Sequence, residues 1–478
     1  MKKKWSSLFY FFIVAGLGTV IFWIIKKGAY LQDPVFTAQQ VQKAKETSTI
    51  DSFQFFKDSF IQNLTDPLAV LLLQIIVIIA VARFAGFLFR KIGQPAVIGE
   101  IVAGIILGPS VLGLFFPGIN HFLFPAASLG TLNFLSQVGL ILFMFIIGME
   151  IDLKAIGKQA YDAVIISHAS IIIPYALGVT LAYFIYRDYA PAGTSFLSFA
   201  LFMGIAMSIT AFPVLARILQ EKGLTRSRLG AMALTCAAAD DLTAWCILAA
   251  VIALVKSGSS ISVLYTIGFA VVYVLIMLKV VRPYLEKLST VYDNKIKRRT
   301  PIIALLFVIL IISSYITSII GVHALFGAFI AGVIMPGSFS FRKIVVDKIE
   351  DVSIILLLPL FFVITGLRTE IGLINEGHLW ITFGWILLVA VAGKFGGSAL
   401  AARMVGQSWK DSLSIGVLMN TRGLMQLIVL NIGYDLGILT PEIFAMMVLM
   451  ALVTTFMTGP ALDLLNRVMP EKEEKKNG

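Results

Sequence analysis

Cysteine is nearly absent. Cys236 and Cys246 are the only two in 478 residues. Both lie inside one apolar run, so they supply no disulfide framework and no paired-thiol metal site. Histidine is as sparse, and His121, His168, His323 and His378 are scattered too widely to suggest a ligand cluster. Charge is scarce as well: Asp, Glu, Lys and Arg make up 14% of the chain, against about 25% in soluble domains. The chain has no G-x-G-x-x-G after a strand pattern, no P-loop and no H-E-x-x-H. Nucleotide-driven pumping and zinc-protease chemistry within this chain are thereby excluded. No nucleophile–base set appears either, so the reading is not an enzyme.

What is present is apolar surface. Hydrophobic residues reach 58%, where about 45–50% is usual, and the mean hydropathy is +0.92. A soluble fold with that balance could not cover its own exterior. Disorder needs the opposite composition. A porin-type barrel needs alternation, and here the apolar residues form unbroken runs. The fold class is therefore an all-α polytopic membrane protein, with the lipid bilayer as its first partner. The net charge of +11 then reads as loop charge and not as affinity for nucleic acid.

A helix needs about 20 apolar residues to cross the hydrocarbon core. Fourteen runs qualify as candidates: 5–25, 66–90, 95–116, 127–150, 160–186, 195–220, 229–255, 261–281, 301–320, 322–337, 352–368, 379–403, 411–433 and 441–465. Two of them, 322–337 and 352–368, look short for a full crossing. With the helices after the first numbered one to thirteen, the odd-numbered connections and the C-terminal tail hold 22 lysines and arginines; the even-numbered connections hold three, Arg187, Lys256 and Arg368. This bias places the odd connections and both termini in the cytoplasm. The organisation expected is an N-terminal signal-anchor helix at 1–25 (or, as the alternative, a signal peptide), and an external polar segment at 26–65. A transmembrane domain follows at 66–465, then a short cytoplasmic tail at 466–478. The scattered Phe53, Phe55, Phe56 and Phe60 suit an amphipathic helix lying on the membrane.

Ionisable residues inside a span cost at least about 2.5–3.5 kcal/mol and mark function by default. The sharpest case is Asp240-Asp241, near the middle of 229–255. Adjacent helical side chains point about 100° apart, so one acid can face an ion cavity while the other faces a neighbouring helix. Lys394 lies well inside 379–403 among Gly393, Gly396 and Gly397, and Asp240 is its candidate partner. Pro213, in Ser-Ile-Thr-Ala-Phe-Pro, removes a backbone donor and crowds the carbonyl of Ile209. A break there would turn carbonyls and the Ser208 and Thr210 hydroxyls into hard oxygen ligands; a simple kink is the plainer alternative. Arg422, in Asn-Thr-Arg-Gly with Gly423, becomes tolerable if it faces a half-helix end or a water cavity. Oxygen ligands serve Na⁺, K⁺ and Li⁺ alike.

Taking helices one to six (about 66–255) and eight to thirteen (about 301–465) as two units, with 261–281 as linker, the units are inverted in topology. The interrupted spans 195–220 and 411–433 are the fifth member of each, which is the pattern of a secondary-transporter site.

In these residues the chain resembles the monovalent cation:proton antiporter family 2. The motifs are Gly-Gln-Pro-Ala-Val-Ile-Gly-Glu-Ile at 93–101, Gly-Pro-Ser-Val-Leu-Gly at 108–113, Ala-Phe-Pro-Val-Leu-Ala-Arg-Ile-Leu at 211–219, Asp240-Asp241, the run 322–336 from Val-His-Ala-Leu-Phe-Gly to Met-Pro, Lys394, and Asn-Thr-Arg-Gly-Leu at 420–424. The wording is nearest the plant cation/H⁺ exchanger branch and its bacterial relatives. The resemblance implies a 13-helix inverted-repeat core with two crossing interrupted helices, here with one extra N-terminal helix, working as a homodimer in a bacterial-type inner membrane. It implies exchange of Na⁺ or K⁺ for protons, with no cofactor beyond the transported ions. It makes Asp241 the ion-binding acid, Asp240 a position that is Asp in electrogenic members, and Lys394 the opposing base. Gln426 stands where the nearest branch often has Glu. A cation channel, or a proton-coupled carrier of another small solute, is the rival reading; no carbonyl filter of the TVGYG type supports the first.

Overall fold

The computed structural model describes residues 2–28, 52–150, 160–224, 227–257, 260–287, 299–336 and 349–469. Among them every regular element is helical. The helices are α1 (Lys2–Gly28), α2 (Ser52–Leu64), α3 (Pro67–Lys91), α4 (Ala96–Leu107), the short α5 (Leu112–Phe115) and α6 (Pro117–Leu123), α7 (Ala126–Glu150), and α8 (Ala160–Tyr189). Then come α9 (Phe196–Ser208), α10 (Phe212–Glu221), α11 (Arg228–Ser257), α12 (Ser260–Ile276), α13 (Arg299–Ile320) and α14 (Ala324–Val333). The last are α15 (Leu358–Leu367), α16 (Gly377–Val391), α17 (Gly397–Met404), α18 (Trp409–Met419), α19 (Leu424–Asp435) and α20 (Pro441–Val468). Eleven described stretches are long and apolar enough to cross a bilayer, and the bent pair α18–α19 makes a twelfth.

The chain forms two compact units, Met1–Val70 and Leu71–Gly478. The first holds α1, α2 and the opening of α3. Exposed Phe55, Phe56 and Phe60 stud α2; residues 29–51 lie outside the described residues. So do the basic connections at 151–159, 288–298 and 337–348, and the tail from 470 on.

Within the second unit two sets of helices pack among themselves. In one, α4 runs along α15, α7 along α14 and α15, and α13 along α14. In the other, α8 packs on α9, α11, α16 and α17, and α18 on α11, α17 and α20. Backbones meet closely at two points in the first set. Gly104 of α4 faces Gly366 of α15, and Gly148 of α7 faces Gly332 of α14, with no room for a Cβ at any of the four.

Three boundaries differ from expectation. The span 352–368 is not short: a helical stretch runs over Ile349–Leu373 and is long enough to cross. The span expected over 95–116 is present as Ala96–Phe115, but its first helix ends at Leu107, because Gly108 is extended and Pro109 cannot continue the ladder. The first interruption falls at Ile209–Ala211 and not at Pro213 itself. Pro213 sits in the first turn of α10, where its missing N–H was unpaired in any case.

Candidate ion site at the crossing of two broken helices

Both interrupted spans begin with a serine cap. Ser195 Oγ accepts the Ser198 N–H at 3.1 Å and starts α9; Ser408 Oγ accepts the Asp411 N–H at 3.0 Å and starts α18. Each helix then stops inside the second unit. The two breaks touch: the Ala211 N–H donates to the Thr421 carbonyl at 3.1 Å, and the Thr210 hydroxyl donates to the Met419 carbonyl at 3.1 Å. Gly423 makes the crossing possible, since a Cβ there would lie 2.6 Å from Val214.

Breaking α9 orphans its last carbonyls, and two cations answer them. Arg422 donates to the carbonyls of Ala206 at 3.2 Å and Met207 at 2.7 Å, and to Gln426 Oε1 at 2.9 Å. It therefore does face a half-helix end, the condition that makes it tolerable. The Ser208 carbonyl takes a hydrogen bond from Lys394. Positive charge at a helix C-terminus is also favoured by the helix dipole.

Lys394 sits in a π-helical turn, Ala392–Gly396, between α16 and α17, an irregularity that often marks function. An ammonium has three protons, and three acceptors surround this one. They are the Ser208 carbonyl, the Ser170 carbonyl at 3.0 Å and Asp240 Oδ2 at 2.9 Å. The Ser170 carbonyl is available because Pro174, four residues on inside α8, has no N–H to give it.

Asp240 and Asp241 diverge, as their spacing predicts. Asp240 Oδ2 accepts from Lys394 and also from the Thr210 backbone N–H at 3.0 Å. Asp241 is 1% exposed, and neither of its carboxyl oxygens has a hydrogen-bond partner among the described residues. The Phe212 N–H at the start of α10 approaches it without closing hydrogen-bond geometry. One turn on, the indole N–H of buried Trp245 also has no partner among the described residues. A buried carboxyl with both oxygens open suits a species that comes and goes.

Two expected ligands act differently. The Ser208 hydroxyl turns back to the Gly204 carbonyl at 2.7 Å, and its carbonyl does the long-range work. Thr210 reaches Asp240 through its backbone, while its hydroxyl ties the breaks together. Missed altogether was Thr455, whose hydroxyl donates to the Arg422 carbonyl at 2.6 Å and accepts the Arg422 N–H at 3.2 Å. A threonine in an apolar run gives no signal of its own. The Ser170 carbonyl was also missed, although Pro174 in 160–186 pointed to it.

Residues 76–466 match the family described as sodium/hydrogen exchanger, transmembrane. The chain belongs to that family. It is 41% identical over 397 residues to the Na(+)/H(+) antiporter NhaS4 of Synechocystis, covering 83% of this chain and 97% of that one. It is also 41% identical to cation/H(+) antiporter 17 of Arabidopsis thaliana, and 34% identical to K(+)/H(+) antiporter 1 of Saccharomyces cerevisiae, covering 83% and 85% of this chain. The matches span 48% and 47% of those two longer proteins. The solved sodium proton antiporter MjNhaP1 of Methanocaldococcus jannaschii shares the fold, with a TM-score of 0.61 at 14% identity over 83% of this chain and 98% of that one. As a family member the chain is an integral multi-pass membrane protein.

Proposed function

We propose that this protein exchanges a monovalent cation, Na⁺ or K⁺, for protons by alternating access, and that proton and cation compete for Asp241. The observation that carries this is the buried Asp241 carboxyl, left open at the crossing beside a fully paired Lys394. A carboxylate cannot stay bare away from water. It is neutralised by a proton or by a dehydrated cation, never both, and that exclusion is the coupling. Relatives named as Na(+)/H(+) and K(+)/H(+) antiporters support the same activity.

Asp240 and Lys394 form the counter-pair. If an entering cation draws Asp240 away, the ammonium loses one of three acceptors and can release its proton. Two protons then exchange per cation and transport responds to voltage. Arg422 holds the broken end of α9 in place, and Pro213 and Gly423 shape the crossing.

The reading of 66–255 and 301–465 as inverted repeats is supported by the glycine contacts. Pairing helix two with nine and three with ten exchanges Gly104–Gly366 with Gly332–Gly148. The serine caps of α9 and α18 occupy matching places. Movement of one helix set against the other is supported by their unequal ends. At one end Arg368, following α15, donates to Asn431 Oδ1 at 2.8 Å and pairs with Asp435 at 2.9 Å, both on α19. At the other a cavity separates α3 and α4 from α10 and α19. A homodimer in a bacterial-type inner membrane, with both termini cytoplasmic, completes the proposal from the resemblance and the loop charge.

The test is a proteoliposome dequenching assay with each alkali cation across pH. Wild-type protein is expected to exchange and Asp241→Asn to be inactive yet folded. Normal exchange in that variant removes Asp241 as the carrier. Cation flux indifferent to an imposed potential removes the electrogenic scheme.

A further inference from the structure

The cavity holds an acid that the exchange scheme above does not use. It measures about 210 Å³ and lies between the two helix sets, at the end where α3 stops and α4 begins. Its walls include Arg83 and Arg90 of α3 and Glu100 of α4; Val214 and Leu424, at the openings of α10 and α19, form its inner end. At about 30 Å³ per water, it has room for a partly hydrated alkali ion. The first turns of both half-helices border it, so it reaches the crossing from one side of the membrane. The loop charges make that side cytoplasmic.

Among the described residues, Glu100 is the one acid lining the cavity. Arg83 and Arg90 are the other ionisable groups there; the described lining residues of α7, α10, α15, α19 and the turn before α15 include none. Glu100 is 7% exposed, and burying an acid within a span is costly. A purely structural ion pair would repay that cost with close, preferably bidentate hydrogen bonds. Here Arg83 spends its bond elsewhere: Nη2 donates to the Ile354 carbonyl at 2.9 Å, while Nη1 stays 3.9 Å from Glu100 Oε1. The pairing is Coulombic and loose, and it leaves the carboxylate free to accept another cation.

We propose that Glu100 is a second cation-binding carboxylate, a way station that holds a monovalent cation between the cytoplasm and Asp241. This rests on the antiport reading. The incoming ion takes the place of the loose Arg83 contact, and Arg83 keeps its anchor on Ile354. Because Glu100 belongs to the helix set opposite the crossing, it serves the ion only while the cavity is open. It therefore acts on one face of the membrane, unlike Asp241.

The experiment is cation-driven exchange in everted and right-side-out vesicles, with KM measured for Na⁺ and K⁺ from each face. Glu100→Gln is expected to raise KM about five-fold or more from the cytoplasmic face, with a smaller change in maximal rate and the external KM within about two-fold. Glu100→Asp is expected to recover part of the affinity. Arg83→Gln is expected to lower the cytoplasmic KM, because a competing cation is gone. Unchanged KM in Glu100→Gln, or an equal rise from both faces, overturns the way station while leaving exchange through Asp241 intact. If Glu100→Gln does not accumulate, Glu100→Asp and Arg83→Gln decide, and no face-specific shift in either overturns it. Absence of exchange in wild type, with either ion and from either face, overturns the antiport reading and this inference with it.

Discussion

The two breaks are alike in the chain and unlike in what closes them. Around Ile209–Ala211 the freed carbonyls of Ala206, Met207 and Ser208 are met by formal charge, from Arg422 and Lys394. Around Asn420–Gly423 the carbonyls of Met419, Thr421 and Arg422 are met by neutral donors: the Thr210 hydroxyl, the Ala211 N–H and the Thr455 hydroxyl. The first break therefore concentrates cations beside Asp240 and Asp241, and the second is a neutral joint against which the first is set. Charge and its chemistry belong to one break, and register between the two belongs to the other.

Substitutions should separate these roles. The largest effect on transport is expected from Asp241→Asn, which abolishes dequenching in proteoliposomes. It should leave the unfolding temperature near that of wild type, because Asp241 has no hydrogen-bond partner among the described residues. For stability, Lys394→Met is expected to cost most, about 3–5 kcal/mol, since it strands the Asp240 carboxylate and two carbonyls. Adding Asp240→Asn to that variant should restore most of the loss, as removing both charges of a buried pair is often nearly neutral. Thermal unfolding of purified protein checks both. Arg422→Gln follows at about 1–3 kcal/mol, the scale of buried polar groups left without partners. Thr455→Val, at the neutral joint, should cost about 1 kcal/mol and reduce exchange only mildly. Should Thr455→Val prove as damaging as Lys394→Met, the division into a charged break and a neutral one fails.

Much of this was legible along the chain. The apolar runs mark the spans because lipid demands internally satisfied helices of a given length. Asp240, Asp241, Lys394 and Arg422 stand out because charge in hydrocarbon needs a reason. Along the chain Asp240 was only a candidate partner for Lys394; folded, the two meet at 2.9 Å. What stayed hidden were groups of ordinary type. The Ser170 and Ser208 carbonyls, the Thr210 N–H and Thr455 do their work through contacts with residues far away in the chain. Glu100 stood in view within the motif at 93–101, but nothing local showed that it borders a cavity next to both half-helices.

The chain order by itself determined the membrane class and the fact that neighbouring acids in one helix must look in different directions. Only the tertiary structure decided which acid meets the ammonium and which stays open. The physical reason is that helical periodicity sets the angle between two side chains but not the rotation of the helix about its axis. That rotation is chosen by the packing of α11 against α8, α9, α10 and α18, and with it the choice between Asp240 and Asp241.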